Sequence, residues 1–207
     1  MAITKFTTSG VYNIVKYDDF LAGNAAYDPG GYWPIASATG TGSSGAITFS
    51  SIPSTYTHLQ IRFIAKDTYT TAADADAVYL RFNSDSGTNY TRHLLAGDGT
   101  SATASGILSM TGAWVPRSIV TSNTSVNNMF GVGIIDILDY TSSTKNKTIQ
   151  SLSGANTNGT ASPNDGICVS SSLWLSTSAI TSISIYSNYS NVFTTTSQFA
   201  LYGIKAA

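Results

Sequence analysis

Apolar and polar residues alternate along much of this chain. Over residues 57–66, Leu59, Ile61, Phe63 and Ala65 share one parity, while His58, Gln60, Arg62 and Lys66 share the other. Successive side chains of a strand point to opposite faces, so this pattern predicts a half-buried β-strand. Ile47, Thr48 and Phe49 form a shorter strand candidate just before it, and the bend between the two carries Pro53. Further candidates follow at 77–83, 90–95, 106–110, 129–139, 147–151, 167–175, 180–186 and 198–204. Their spacing is that of a sandwich or barrel. Turn formers separate them: Asn83-Ser84-Asp85-Ser86-Gly87, Gly97-Asp98-Gly99, Asn156-Thr157-Asn158-Gly159 and Pro163-Asn164-Asp165-Gly166. The run from Gly131 to Leu138 is apolar on both parities. It reads either as a central strand covered on both faces or as a strand at a subunit contact. No segment of useful length has helical period, and no repeat of fixed period appears.

The first 45 residues have a different texture. Tyr12, Ile14, Val15, Tyr17 and Phe20 are apolar or aromatic without clear alternation. Asp28-Pro29-Gly30-Gly31 is a turn signal, and Thr39-Gly40-Thr41-Gly42-Ser43-Ser44-Gly45 has the composition of a flexible linker. The expected plan is therefore an extended N-terminal arm and hinge over residues 1–45, then one β-sandwich domain over residues 46–207. Tyr12, Ile14, Tyr17, Phe20, Tyr32 and Trp33 are the arm's candidates for attachment to a partner.

Composition sharpens this plan. Charged residues make up only 10% of the chain, all eleven acidic residues are Asp, and Ser and Thr together number 58. Glu and Lys favour helices, whereas Thr, Tyr and β-branched residues suit pleated surfaces, so the alphabet is strongly β. Hydroxyls and amides must carry solubility. A net charge of -1 argues against nucleic acid as a partner, because neutralising phosphates takes many Lys and Arg. No apolar run is long enough to span a membrane. The start of the chain lacks the charged-then-apolar pattern of a secretory leader, so export by that route is not expected. Cys168 is alone, which rules out an internal disulfide, and its setting between Ile167 and Val169 reads as a buried small hydrophobe.

Candidate chemistry is sparse. His58 and His93 are the two histidines, and the chain has no Gly-x-Ser-x-Gly elbow. They read as surface or interface residues, and no catalytic residue is expected. Gly40-Thr41-Gly42-Ser43-Ser44-Gly45 matches the dinucleotide fingerprint in letters only. That fingerprint must follow a strand and open a helix, whereas here a strand follows, so no cofactor is expected. Asp74, Asp76, Asn83 and Asp85 offer oxygens for a cation without EF-hand spacing and read as turn formers, and one Cys with two His makes a poor zinc set. No metal is expected. The Asn-x-Ser/Thr triplets carry no weight in a chain so rich in Ser and Thr. Trp114 and Trp174 are candidate aromatics for a glycan or an interface. Trp174 has the opposite parity to Leu173 and Leu175, which makes it the candidate exposed aromatic.

Several stretches resemble a β-sandwich module of tailed-phage and cyanophage virion proteins. These are Phe49-Ser50-Ser51-Ile52-Pro53 with Thr55-Tyr56-Thr57-His58-Leu59, and the stretch Leu80-Arg81-Phe82-Asn83-Ser84-Asp85-Ser86-Gly87-Thr88-Asn89-Tyr90. Ile135-Asp136-Ile137-Leu138-Asp139-Tyr140 with Lys145-Asn146-Lys147-Thr148 is similar too, as are Trp174, Ala179-Ile180-Thr181-Ser182-Ile183 and Phe199-Ala200-Leu201-Tyr202-Gly203-Ile204-Lys205. The likeness spans residues 33–205, and residues 1–32 match nothing in it. It implies an all-β, jelly-roll-like sandwich in a virion component: a capsid decoration (cement) protein, a head fibre or a tail appendage. The implied partners are the major capsid protein or tail proteins and further copies of the chain, as homodimer or homotrimer. The implied place is the outer surface of the virion, after assembly in the bacterial host cytoplasm. A short chain beginning at Met1 favours a small accessory protein of the capsid, and a tail-fibre module that binds a host surface glycan is the alternative.

Overall fold

The computed structural model describes residues 31–43, 46–69, 75–120, 128–157, 165–188 and 192–205. Within them lie twelve strands and no helix: β1 (Tyr32–Thr39), β2 (Ala46–Phe49), β3 (His58–Ala65), β4 (Ala75–Phe82), β5 (Tyr90–Gly97), β6 (Ala102–Met110), β7 (Ala113–Val120), β8 (Gly131–Ile137), β9 (Lys147–Ala155), β10 (Gly166–Trp174), β11 (Ile183–Ser187) and β12 (Gln198–Ile204). They form two antiparallel sheets. The large sheet runs β1-β12-β3-β8-β9-β10-β5-β6 and the small one β2-β11-β4-β7. The expected all-β, sandwich-like fold is what the chain adopts.

One core fills the space between the sheets. Leu59, Ile61, Phe63 and Ala65 of β3 point into it, as their parity predicts, beside Ile135 and Ile137 of β8 and Phe199 and Leu201 of β12. Ile47 and Phe49, Val78, Leu80 and Phe82, and Ile183 and Ile185 meet them from the small sheet. Each such side chain contributes roughly 1.5–3 kcal/mol on leaving water. The proline bend after β2 is tied down by the Tyr140 hydroxyl, which donates to the Pro53 carbonyl.

Two strands escape the alternation pattern, and each contains a proline. β7 carries Pro116, followed by Arg117 at a φ of 51°, and its register with β4 slips between Asp76 and Val78. β1 carries Pro34 beside a register shift. Both lie at sheet edges, where a missing N–H is tolerated. β1 also moves the domain boundary. Residues 32–39, expected in the arm, pair with β12 along its length and belong to the sandwich. Gly40 and Gly42, expected in a flexible hinge, donate backbone hydrogen bonds to the Ser197 and Phe193 carbonyls. A Cβ at Gly40 would come within 2.1 Å of the Thr194 carbonyl oxygen, so glycine here serves close packing. Residues 1–30, and with them Tyr12, Ile14, Tyr17 and Phe20, lie outside the described residues.

Candidate functional site

The middle stretches of β9 and β10 are built inside out, next to Ile149 and Trp174, which point inward into the main core. Their inward residues include Ser151, Ser153, Cys168, Ser170 and Ser172, all buried. Their outward residues include Leu152, Ile167 and Val169, all exposed. The inner side is crowded by β7. A Cβ at the neighbouring Gly131 would lie 2.4 Å from the Ser118 carbonyl oxygen, so the sheets come close enough here to admit only small groups. The buried hydroxyls are satisfied locally: Ser153 Oγ donates to the Pro116 carbonyl at 2.5 Å, and Ser151 Oγ and Ser170 Oγ lie 2.6 Å apart.

The outward aliphatics continue across neighbouring strands in register. One row is Ile64, Val132, Gly154, Ile167 and Gly97, from β3, β8, β9, β10 and β5 in turn. The next is Arg62, Ile134, Leu152, Val169, Leu95 and, from β6, Ala104. Leu152 is 47% exposed and Leu95 59%. With Ile64, Val132, Ile167 and Val169 they present on the order of 500 Å² of largely apolar surface, within the range of the largest apolar patch on a typical monomer, which is often functional. β8 is thus covered on one face only, and Val132 meets solvent.

A polar row borders the apolar ones: Gln60, Asp136, Gln150, Ser171 and His93. Arg62 Nε donates to Gln60 Oε1 and Gln60 Nε2 donates to Asp136 Oδ1, each at 2.7 Å. The Arg62 guanidinium lies 5.4 Å over the Tyr32 ring. These residues line a shallow depression of about 670 Å³, with Leu95, Leu152 and Val169 along its other side. The outer face therefore joins an apolar band to a pre-ordered polar row, an arrangement suited to adhesion. His58 lies further along the same strand and has another role, its Nδ1 accepting the Asp139 amide.

The candidate aromatics separate. Tyr32 lines the outer-face depression. Trp33 is half-buried, with the Lys205 ammonium 4.7 Å over its ring. Trp114 is half-buried under the Arg92 guanidinium, 4.1 Å from its ring centre. Trp174 corrects the expectation of an exposed aromatic. It is 2% exposed and packs against Phe82 and Tyr90, with ring centroids at 5.5 and 6.2 Å. Its Nε1 donates to Asp85 Oδ2 at 2.7 Å. Parity separated Trp174 from its leucine neighbours correctly, but the indole faces inward and Leu175 outward. That hydrogen bond, with one from Asn89, holds the Asp85 carboxyl below the usual carboxylate range. Asp85 is thus committed to the Trp174 contact, while Asp76 sits at the opposite end of β4 and Asp74 lies outside the described residues. Among the described residues no group of three or more His, Cys or Asp side chains is placed to hold a metal.

One buried polar cluster was not anticipated. The Ser187 hydroxyl lies 2.9 Å from a carboxylate oxygen of both Asp67 and Asp76. Burial pushes the Asp67 carboxyl up to about 7, hydrogen bonds from Ser187 and the Tyr69 amide oppose the rise, and the Asp76 carboxyl adds to it. Nothing in the local alternation marks these residues as buried partners, since they meet only when separate strands converge.

No family model, curated protein or solved structure matches this chain.

Proposed function

We propose that this chain is a non-enzymatic structural protein of a phage particle, a capsid decoration (cement) or head-fibre protein on the outer surface of the virion. The observation that carries the reading is the inversion of β9 and β10. A sheet that turns serines inward and Leu152, Ile167 and Val169 outward leaves apolar area in water, and covering it is favourable. At about 25 cal/mol per Å², burying on the order of 500 Å² gains roughly 10 kcal/mol before the cost of association. Sparse charge lowers the desolvation cost of such a contact. β1 begins at Tyr32, and Tyr32 lines this face. In this reading the face, with the attachment residues expected in the arm, meets the major capsid protein or its neighbours.

The sequence resemblance supports the same reading, and so does strand order. β2-β11-β4-β7 faces a sheet in which β3, the β8-β9-β10 meander, β5 and β6 succeed one another. This order supports a jelly-roll reading, with a meander in place of one strand and β12 and β1 added outside.

A second reading rests on the polar row. Tyr32, Arg62, Gln60, Asp136, Gln150 and His93 form a shallow, hydrogen-bonding depression of the kind that suits a sugar, as in a tail appendage that binds a host glycan. Immunogold labelling of intact particles with antibody against residues 46–207 separates the two. Label over the head is expected; label confined to the tail favours the glycan reading, and particles without label overturn both.

A further inference from the structure

The two sheets have four edges, and three of them are blocked. β1 contains Pro34 and a register shift. β2 is only four residues long. β7 contains Pro116, the charged Arg117 at positive φ, and a second register shift. Prolines, charges, irregularities and shortness are the devices by which proteins keep a strand edge from pairing with another chain.

β6 has none of the first three over most of its length. It runs nine residues, Ala102–Met110, without a proline or a charged side chain. It stays in unbroken register with β5 from Ala102 to Ile107, and its irregularity is confined to the last residues, where Ser109 has a φ of 56° and the register shifts before Met110. Residues 102–109 are all exposed, because β7 ends the small sheet beneath β8, β9 and β10 and leaves β6 overhanging. Leu108 is 70% exposed. The free side of β6 thus offers backbone donors and acceptors at the spacing of a further strand, flanked by Ile107 and Leu108.

We propose that β6 pairs with β6 of a second copy, antiparallel about a two-fold axis, so that two large sheets become one continuous sheet. Head-to-tail pairing would set β6 against β1, β2 or β7 of the next copy, and each of those is blocked. Among the described strands only β6 offers the same open edge, so the contact is isologous and closes at a dimer. The uncharged strand has nothing with which to select a foreign strand by charge, and a second copy brings nothing that repels it. The inference stands apart from the particle reading, since it concerns the edge of the sheet and not its outer face.

Sedimentation equilibrium of the full chain tests it, with Ala104→Lys/Leu108→Lys as the edge variant and Leu152→Asp/Val169→Lys as the face variant. The wild-type chain and the face variant are expected to be dimers. The edge variant, which brings like charges together across the axis, is expected to dissociate at least roughly a hundredfold more readily, with a thermal melt unchanged when both chains are compared below the dissociation range. Hydrogen exchange covers the case of a misfolded variant: in the wild-type chain the β6 amides should become protected as concentration rises through the dissociation range. A monomeric wild-type chain, an edge variant that dimerises as well as wild type, dissociation by the face variant alone, or β6 amides that exchange fast at every concentration each overturns the proposal.

Discussion

β3 and β9 are separated in the large sheet only by β8, yet they are built in opposite senses. β3 turns Leu59, Ile61 and Phe63 inward and Arg62 outward. β9 turns Ser151 and Ser153 inward and Leu152 outward. Both alternate with period two, and a shift of one residue would exchange the faces of either. The difference lies in what waits on the inner side. β3 faces an inter-sheet space wide enough for the Phe63, Phe193 and Phe199 rings. β9 lies against β7, whose Pro116 carbonyl reaches the Ser153 hydroxyl. Alternation reports that a strand has two unlike faces; the width of the space beside it decides which face goes in.

If the β3 half carries the stability, the largest effect comes from truncating it. Ile61→Ala removes a fully buried side chain from the main core and is expected to cost 2–5 kcal/mol, roughly, in urea unfolding. A cost below about 1 kcal/mol would break the contrast, because surface positions behave that way.

The next effect is in pH. The Asp67 carboxyl sits near 7 in the fold, above its ordinary 3.8. The folded chain therefore holds a proton that the unfolded chain releases, and stability falls as pH rises from about 4 to about 7, then levels off. The loss is on the order of a few kcal/mol. Unfolding curves across that range measure it, and Asp67→Asn should flatten the slope.

A smaller effect probes the serine side. Ser151→Ala leaves Ser170 without its hydroxyl partner and is expected to cost about 1–2 kcal/mol. Ser151→Ala/Ser170→Ala removes both groups and should recover most of that loss. Additive costs in the double-mutant cycle would show that the pair does not act as a unit.

The sequence pattern reaches unevenly into this architecture. β3 is legible in full, because bulky aliphatics on one parity and Gln60 and Arg62 on the other leave no choice of face. β9 and β10 are legible as strands but not in their orientation, since serine is small enough for a narrow interior and Leu152 and Val169 suit a covered exterior. Trp174 fell to the same ambiguity: its hydrogen bond to Asp85 spans from the end of β10 to the turn after β4, and no local signal announces it. β1 and β7 were hidden by Pro34 and Pro116, which argue against a strand except at an edge, and edges become known only with the sheet order. The Gly131–Ile137 strand is apolar on both parities, yet only its Gly131, Gly133, Ile135 and Ile137 side is buried, so its pattern does not tell a covered outer face from an open one.

The smallest expected effect on stability is also the most direct test of the proposed assembly face. Leu152→Asp/Val169→Lys places a pair of opposite charges on facing exposed positions of β9 and β10 and should leave the melting temperature nearly unchanged, within about 0.5 kcal/mol of stability per site. Co-sedimentation with intact particles is the measurement. We expect wild-type chain to pellet with the particles and the variant to stay in the supernatant although folded. A folded variant that pellets as fully as wild type would mean that the outer face of the large sheet is not what holds this protein in place.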